Sequence, residues 1–486
     1  MTVPQTDPRR WKALGVLALV QFMLVLDVTV VNVALSHIQS DLGFSRASLA
    51  WVVDGYVLTA GGLLLLGGRL GDLLGRRRMF FVGVTIFAAA SALSGAAADP
   101  AMLVASRFAQ GAGEALAAPA AFGLIALLFQ DPGERAKAIG VFGGVAGLGG
   151  TLGPILSGLL ITAVSWRWIF FVNVPVALFA MAAVARLVAE SRAERDPAGG
   201  RPDVAGAVLA TAGLVGVVYG LIQAATRPWG STAVVASLVT GAMLLVAFVV
   251  RERSAAEPLV PALFLRNRTR VTANLATVFF ACAFFTMFFL LTLYWQQVEH
   301  FSAMRTGLAY LPLGIVIGGA IALSASLVTR LGVKPLLCGG SVLFAGGLLA
   351  LSRIGAQGSY WSQAFPGLVL VALGAGISFS AFGNASMHQV SGQDAGLASG
   401  LQATAQQVGG ALGLAVLATV ALRQARSAVA GGVPAAVAST HGTVVALRAG
   451  AVIALAGGVM VALSGGRRRH RTAGLGEVDP VVVAAG

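Results

Sequence analysis

Charge is scarce in this chain. Only 11% of its 486 residues are charged, and 57% are hydrophobic. Soluble domains carry about a quarter charged residues, so a soluble globular fold is excluded and a polytopic membrane protein is indicated. No long polar block interrupts the apolar runs, which excludes a sizeable soluble domain. Cysteine is nearly absent: Cys282 and Cys338 both sit in apolar runs. That excludes a disulfide framework and a zinc site, and no metal is expected. No Walker A pattern provides a nucleotide cradle, so ATP is not the energy source. No triad or metal-ligand spacing appears, which argues against an enzyme and against a cofactor. Acidic residues are few, 19 against 33 basic ones, for a net charge of +14. The basic residues lie mostly in short loops, so membrane topology explains them and no nucleic-acid partner is expected. Lysine is rare, with only Lys12, Lys137 and Lys334 among the basic residues, weakly pointing to a GC-rich bacterial genome.

What is present is a series of apolar runs. They predict fourteen membrane spans, near 13–35, 48–67, 79–98, 101–128, 136–161, 167–188, 204–224, 232–250, 270–295, 306–329, 335–352, 363–388, 396–422 and 443–464. The first follows Arg9, Arg10 and Lys12 and lacks a cleavage site, so it reads as an uncleaved span rather than a signal peptide. With the N-terminus in the cytoplasm, 24 of the 33 basic residues fall on the inner side and 8 on the outer. Arg107 is left inside the membrane. That bias supports an even span number with both termini cytoplasmic, in a bacterial inner membrane. The predicted organisation is an N-terminal six-helix half at 1–190 and inner linkers with inserted helices seven and eight at 191–268. A C-terminal six-helix half follows at 269–465, then a cytoplasmic tail at 466–486, lying beside anionic lipid.

The two halves echo one another. Adding 263 maps Gly111 to Gly374, Gly113 to Gly376, Gly147 to Gly410 and Gly150 to Gly413. Arg69-Leu70-Gly71 returns as Arg330-Leu331-Gly332 at a nearly equal offset. Internal repeats of this kind build secondary transporters, with the binding site between the halves. The repeat is chemically lopsided, because the same offset turns Arg107 into Leu370 and Glu114 into Ile377.

The most informative stretch is Arg107 to Glu114, within the fourth span. Arg107, Gln110, Gly111 and Glu114 share one helical face. Ionisable groups at membrane depth cost several kcal/mol each unless they meet a partner or a wet cavity. Arg107 and Glu114 stand roughly 10 Å apart along one helix, too far to pair. Each therefore needs a partner elsewhere, either as a structural pin or as a proton or substrate relay. Asp27 in span one and Asp54 in span two reach a depth like that of Arg107, roughly 9–11 Å from the outer boundary. Asp27 or Asp54 is expected to pair with Arg107 in one state and to take a proton in another. Glu114 lies deeper, as a second proton site or a ligand for a cationic substrate.

Other stretches carry a resemblance. Gly68-Arg69-Leu70-Gly71-Asp72-Leu73-Leu74-Gly75-Arg76-Arg77-Arg78, after span two, resembles the signature loop of the major facilitator superfamily. Leu26 to Leu35, Arg107 with Gln110-Gly111, Gly147 to Gly158 and Trp166 to Pro175 resemble, in order, its fourteen-span drug:proton antiporters. The resemblance implies an all-α major facilitator fold, two six-helix halves plus two inserted helices, with 14 transmembrane helices. It assigns Gly68, Asp72, Gly75, Arg76 and Arg77 to a gating loop, where the acid meets the start of span thirteen near Gly396. The family usually has a basic residue where Leu73 stands. Gly149, Gly153, Pro154 and Gly158 form the antiporter motif. Independently of the family, small residues there let helices approach closely and Pro154 can kink its helix.

Candidates for a substrate cavity are Gln110, Asn32, Trp295, Gln296 and Asn384, with Gln297 and Gln406 as further polar wall residues. Asn32 lies about 140° from Asp27 around the helix, so a helix–helix hydrogen bond is its simpler role. Phe279, Phe280, Phe284, Phe285, Phe288 and Phe289 read as lipid-facing or belt residues, some of them lining a greasy pocket. His388 and Asp394 read as solvated. The expected function is proton-coupled antiport that exports hydrophobic or cationic small molecules by alternating access. Its partners would be substrate, protons and the bilayer, and its state a monomer. An importer or exporter of one metabolite on the same fold, and a non-transporting sensor or channel, remain as alternatives.

Overall fold

In the computed structural model the described residues are 9–45, 47–129, 131–188, 203–255, 258–260, 264, 266–355, 359–386 and 395–464. The predicted tail at 466–486, all of the 191–202 stretch of the linker, His388 and Asp394 lie outside them. Among the described residues the structure is helical, without strands. The helices are α1 (Arg10–Leu42), α2 (Trp51–Leu74), α3 (Arg76–Gly95), α4 (Pro100–Leu128) and α5 (Pro132–Ala163). Then come α6 (Trp168–Leu187), α7 (Val204–Ala224), α8 (Thr232–Ser254) and α9 (Arg268–Gln297). The last are α10 (Ala303–Leu331), α11 (Val333–Leu351), α12 (Tyr360–Ser386), α13 (Ala395–Ala430) and α14 (Ala435–Leu463). Thirteen are long and apolar enough to cross a membrane as they stand, and α5 makes fourteen as a bent span. The chain is a multi-pass membrane protein. We call the end of the bundle where α1 begins the N-terminal face and the other end the distal face.

Short polar signals set the helix starts. Asp99 and Asp131 each precede a proline and accept the N–H of the third residue on, from Met102 and Glu134, both at 2.9 Å. Asp203, Asn267 and Ser302 cap α7, α9 and α10 in the same way. Each satisfies a donor that the first helical turn leaves orphaned. Helix ends run past the predicted spans where polar side chains find work. α13 continues through Arg423 and Arg426 to Ala430, because both guanidiniums bond the last carbonyls of α7.

Two hydrophobic clusters hold the bundle, one centred on α1–α6 and one on α9–α12 and α14. Across the seam between them, α2 packs on α13 and α5 on α10. The inserted α7 packs on both α2 and α13, and α8 packs on α7. The helical repeat is real, but its register differs from the single offset of 263. Gly75 and Gly332, both at positive φ, are the paired turns before α3 and α11. Gly71, the expected partner of Gly332, is inside α2. A Cβ on Gly113 would strike Phe87 and Gly83 of α3, and one on Gly374 would strike Phe344 and Gly340 of α11. Gly149 and Gly153 meet α1 as Gly409 and Gly413 meet α9. Paired positions therefore differ by 257 at α3 and by 260 or 261 at α4 and α5, because loop lengths differ between the halves. In that register Arg107 becomes Leu368 and Glu114 becomes Ala375, so the chemical asymmetry stands.

Candidate functional site

Asp27 of α1 and Arg107 of α4 meet in the N-terminal half, each 1% exposed, at 2.5 Å. Three further interactions fix the guanidinium. Its Nε donates to the Val52 carbonyl of α2 at 2.9 Å, and an NH1 hydrogen goes to Gln110 Oε1 at 2.9 Å. Its carbon stands 4.3 Å from the Tyr56 ring centroid, a cation–π contact. Asp27 is equally well satisfied. Its second oxygen accepts from Asn173 Nδ2 at 2.9 Å and from Gln110 Nε2 at 3.2 Å. Behind these lie Ser91, which accepts from Asn173 and donates to the Phe170 carbonyl, and Ser94, which donates to Gln110. Ser94 and Ser106 share a hydrogen bond of 2.8 Å. A buried ion pair repays its desolvation only with such geometry and with its remaining polar atoms satisfied. This one is complete, and it ties α1, α2, α4 and α6 together.

Of the two expected partners of Arg107, the structure selects Asp27. Asp54 is fully buried, and neither of its carboxyl oxygens has a hydrogen-bond partner among the described residues. Glu114, two turns along α4 from Arg107, is half-buried beside Tyr56, and its Oε2 too is buried without a hydrogen-bond partner among the described residues. Tyr56 thus stands between the ion pair and the deeper acid.

Sequence reasoning missed Asn173, Tyr56, Ser91, Ser94 and Ser106. Asn173 had a signal, a primary amide within an apolar span. The serines had none, since lone hydroxyls are common on membrane helices.

The residues expected to form an antiporter motif, Gly149, Gly153, Pro154 and Gly158, make two sets of contacts. A Cβ on Gly149 or Gly153 would press on Phe22 or Thr29 of α1. Gly158 lies against Ala303 and Met304, while Pro154 touches Gly307, both at the start of α10. The helix bends by 45° between Val141–Gly150 and Leu152–Ala163. Pro154 has no N–H for the carbonyl four residues back, that of Gly150, and the break falls there. Thr29 Oγ1 approaches the neighbouring Gly149 carbonyl at 3.4 Å.

In the loop expected to gate, only Gly75 makes the turn, and Gly68 is helical, near Pro119 of α4. Arg76 donates to the Gly123 carbonyl and Arg77 to the Ala185 carbonyl, each at 2.9 Å. These cations meet carbonyls near the ends of α4 and α6, where the helix dipole favours positive charge. The Asp72 side chain lies outside the described residues.

The cavity candidates are placed differently from expectation. Gln110 and Trp295 are sealed, the first in the ion-pair network, the second stacked on Phe301 and edge-on to Tyr310. Asn32 is buried and donates to the Val28 carbonyl of its own helix, not to a neighbour. Gln296 reaches from α9 to Ser36 and to the Val33 carbonyl of α1, and Gln297 bonds Gln39 at 2.8 Å. These glutamines tie the two halves at the distal face. Asn384 is exposed and donates to the Ser380 carbonyl. Phe280 and Phe284 are buried against Phe344 and Phe379 rather than lipid-facing, because α9 turns that stripe into its own half. Among the described residues no group of acidic, histidine and cysteine side chains could hold a metal.

Comparisons with known proteins agree with this architecture. The puromycin resistance protein pur8 of Streptomyces alboniger is 40% identical over 440 residues, 90% of this chain and 85% of that one. The cephamycin export protein CmcT of Amycolatopsis lactamdurans is 37% identical over 87% of this chain and 86% of its own. A crystal structure of a bacterial homologue of the human lysosomal transporter Spinster superposes with a TM-score of 0.67. It covers 94% of this chain and 97% of that one, at 16% identity, which speaks to fold alone. The sequence profile described as Major Facilitator Superfamily matches residues 17–414. With that match spanning most of its length, the chain belongs to the Major Facilitator Superfamily, and its role is membrane transport rather than catalysis.

Proposed function

We propose that this protein exports hydrophobic, often cationic, small molecules by exchange for protons, through alternating access. One observation carries the proton coupling: in the same half, Asp27 is saturated by an ion pair while Asp54 is sealed without a partner. A carboxylate buried without a partner is costly, which makes Asp54 suited to carry the proton. Asp27, with three donors, is held in place and fixes Arg107. The glutamine bonds between α1 and α9 close the distal face. The conformation is then one in which a proton taken up from the distal side is carried inward. Glu114 is the next acceptor, and when ionised it can instead hold a cationic cargo. Proton and cargo competing for one carboxylate is the coupling.

Both termini lie on the cytoplasmic side of a bacterial inner membrane. Arg10, Arg76 and Arg77 at the N-terminal face support that orientation. The transporter works as a monomer and draws only on the proton gradient. The names of the two relatives, for puromycin resistance and cephamycin export, support an antibiotic as cargo. The test is a panel of drugs on cells with and without the gene, repeated with a protonophore. Resistance should appear and should vanish when the gradient collapses. Resistance that survives the protonophore removes proton coupling. Proteoliposomes with an imposed pH gradient separate transport from a sensor or channel role.

A further inference from the structure

At the distal ends of α7 and α13 lies a cavity of about 690 Å³. Three arginines line it: Arg227 in the loop after α7, and Arg423 and Arg426 on α13. No acidic side chain does. The rest of the wall is mainly apolar, including Leu221, Val416 and Trp229. Arg423 donates to the carbonyls of Ala224 and Arg227, Arg426 to that of Ala225, and Arg423 also stands 5.1 Å from the Trp229 ring centroid. These bonds cap α7 and leave guanidinium N–H groups over, since each arginine has five. Arg227 has no side-chain hydrogen bond or ion pair among the described residues.

The cavity sits where helices end, at the depth of lipid headgroups, and Trp229 marks that interface. Three cations without a counter-charge call for an anion. Apolar walls directly beneath them call for chains attached to it. We infer that this cavity binds the headgroup and upper chains of an anionic phospholipid, packed between the inserted α7 and the C-terminal half. The site lies outside the ion-pair network and does not depend on how export is energised.

The full-length protein, purified in mild detergent, is incubated with phosphatidylglycerol or phosphatidylethanolamine of matched chains, and bound lipid is read by native mass spectrometry. Wild type should retain phosphatidylglycerol in preference. Arg227→Gln removes one cation without touching the α7 cap, and should lower that retention about fivefold, the factor for one guanidinium at an anionic headgroup. Val416→Trp, which fills the cavity from an exposed position, should lower it as well, with phosphatidylethanolamine unchanged. Equal retention of the two lipids by wild type overturns the inference, as does full phosphatidylglycerol retention by Arg227→Gln. Displacement by equimolar glycerol phosphate also overturns it, because the site then takes a soluble phosphate rather than a lipid.

Discussion

Removing Arg107 tests whether its ion pair is a unit. Arg107→Ala deletes a guanidinium that bonds Asp27, Gln110 and the Val52 carbonyl and covers the Tyr56 ring. Asp27 keeps the Asn173 and Gln110 amides but loses its counter-charge. Two unit charges about 4 Å apart attract by about 4 kcal/mol at an effective dielectric of 20. Breaking a buried pair from one side costs about 3–5 kcal/mol, because a charge is stranded. The double variant Asp27→Asn with Arg107→Gln strands none. It should recover about half of the loss, a coupling of about 2 kcal/mol. The assay is the fraction of folded, monodisperse protein after a temperature series in detergent, with drug export measured on the same variants. The expected order of stability is wild type, then the double variant, then Arg107→Ala. Export should be lost in both variants. If the double variant is as unstable as Arg107→Ala or more so, no stranded charge explains the loss, the pair is not a unit and the reasoning fails.

Four further outcomes follow from the geometry. Asp54→Asn mimics the uncharged carboxyl, so stability should change by less than about 1 kcal/mol, while proton movement on drug addition to proteoliposomes should cease. Gly153→Leu places a side chain against Thr29 and should cost about 1–3 kcal/mol by overpacking. Gly150→Ala meets open space and should be neutral or stabilising by up to about 1 kcal/mol, and folded yield compares the two. Pro154→Ala restores the missing N–H and should straighten α5, so export should fall at least several-fold while folded yield is kept. Cysteines at Ser36 and Gln296, in a background lacking Cys282 and Cys338, should cross-link and arrest export until reductant is added. Export unaffected by a complete cross-link would mean the distal face need not open.

The fold was largely legible because membrane spans announce themselves by composition. Fourteen runs needed only hydropathy and the arginine bias, and the bent α5 was marked by its glycines and Pro154. The acids and Arg107 stood out because ionisable groups are rare in apolar runs. Their pairing was open in sequence, since Asp27 and Asp54 reach equal depth and only the rotation of α2 turns Asp54 away. Register across the repeat was misread for a related reason. Glycine is abundant, with 63 residues, and a constant offset ignores loops of unequal length. Polar residues near the ends of spans read as cavity lining in the sequence because sequence gives depth but not facing. Gln296 instead crosses to α1, and Trp295 faces Tyr310.

The position of α7 makes the molecule one-sided. By resting on both α2 and α13 it covers one of the two seams between the halves, while among the described residues neither inserted helix packs appreciably on α5 or α10 at the other. A greasy molecule dissolved in the surrounding membrane would find one flank shuttered and the opposite flank bare. On that bare flank only the small residues Gly158 and Gly307 let the backbones of α5 and α10 touch, so the two halves meet there with nothing laid over the contact among the described residues.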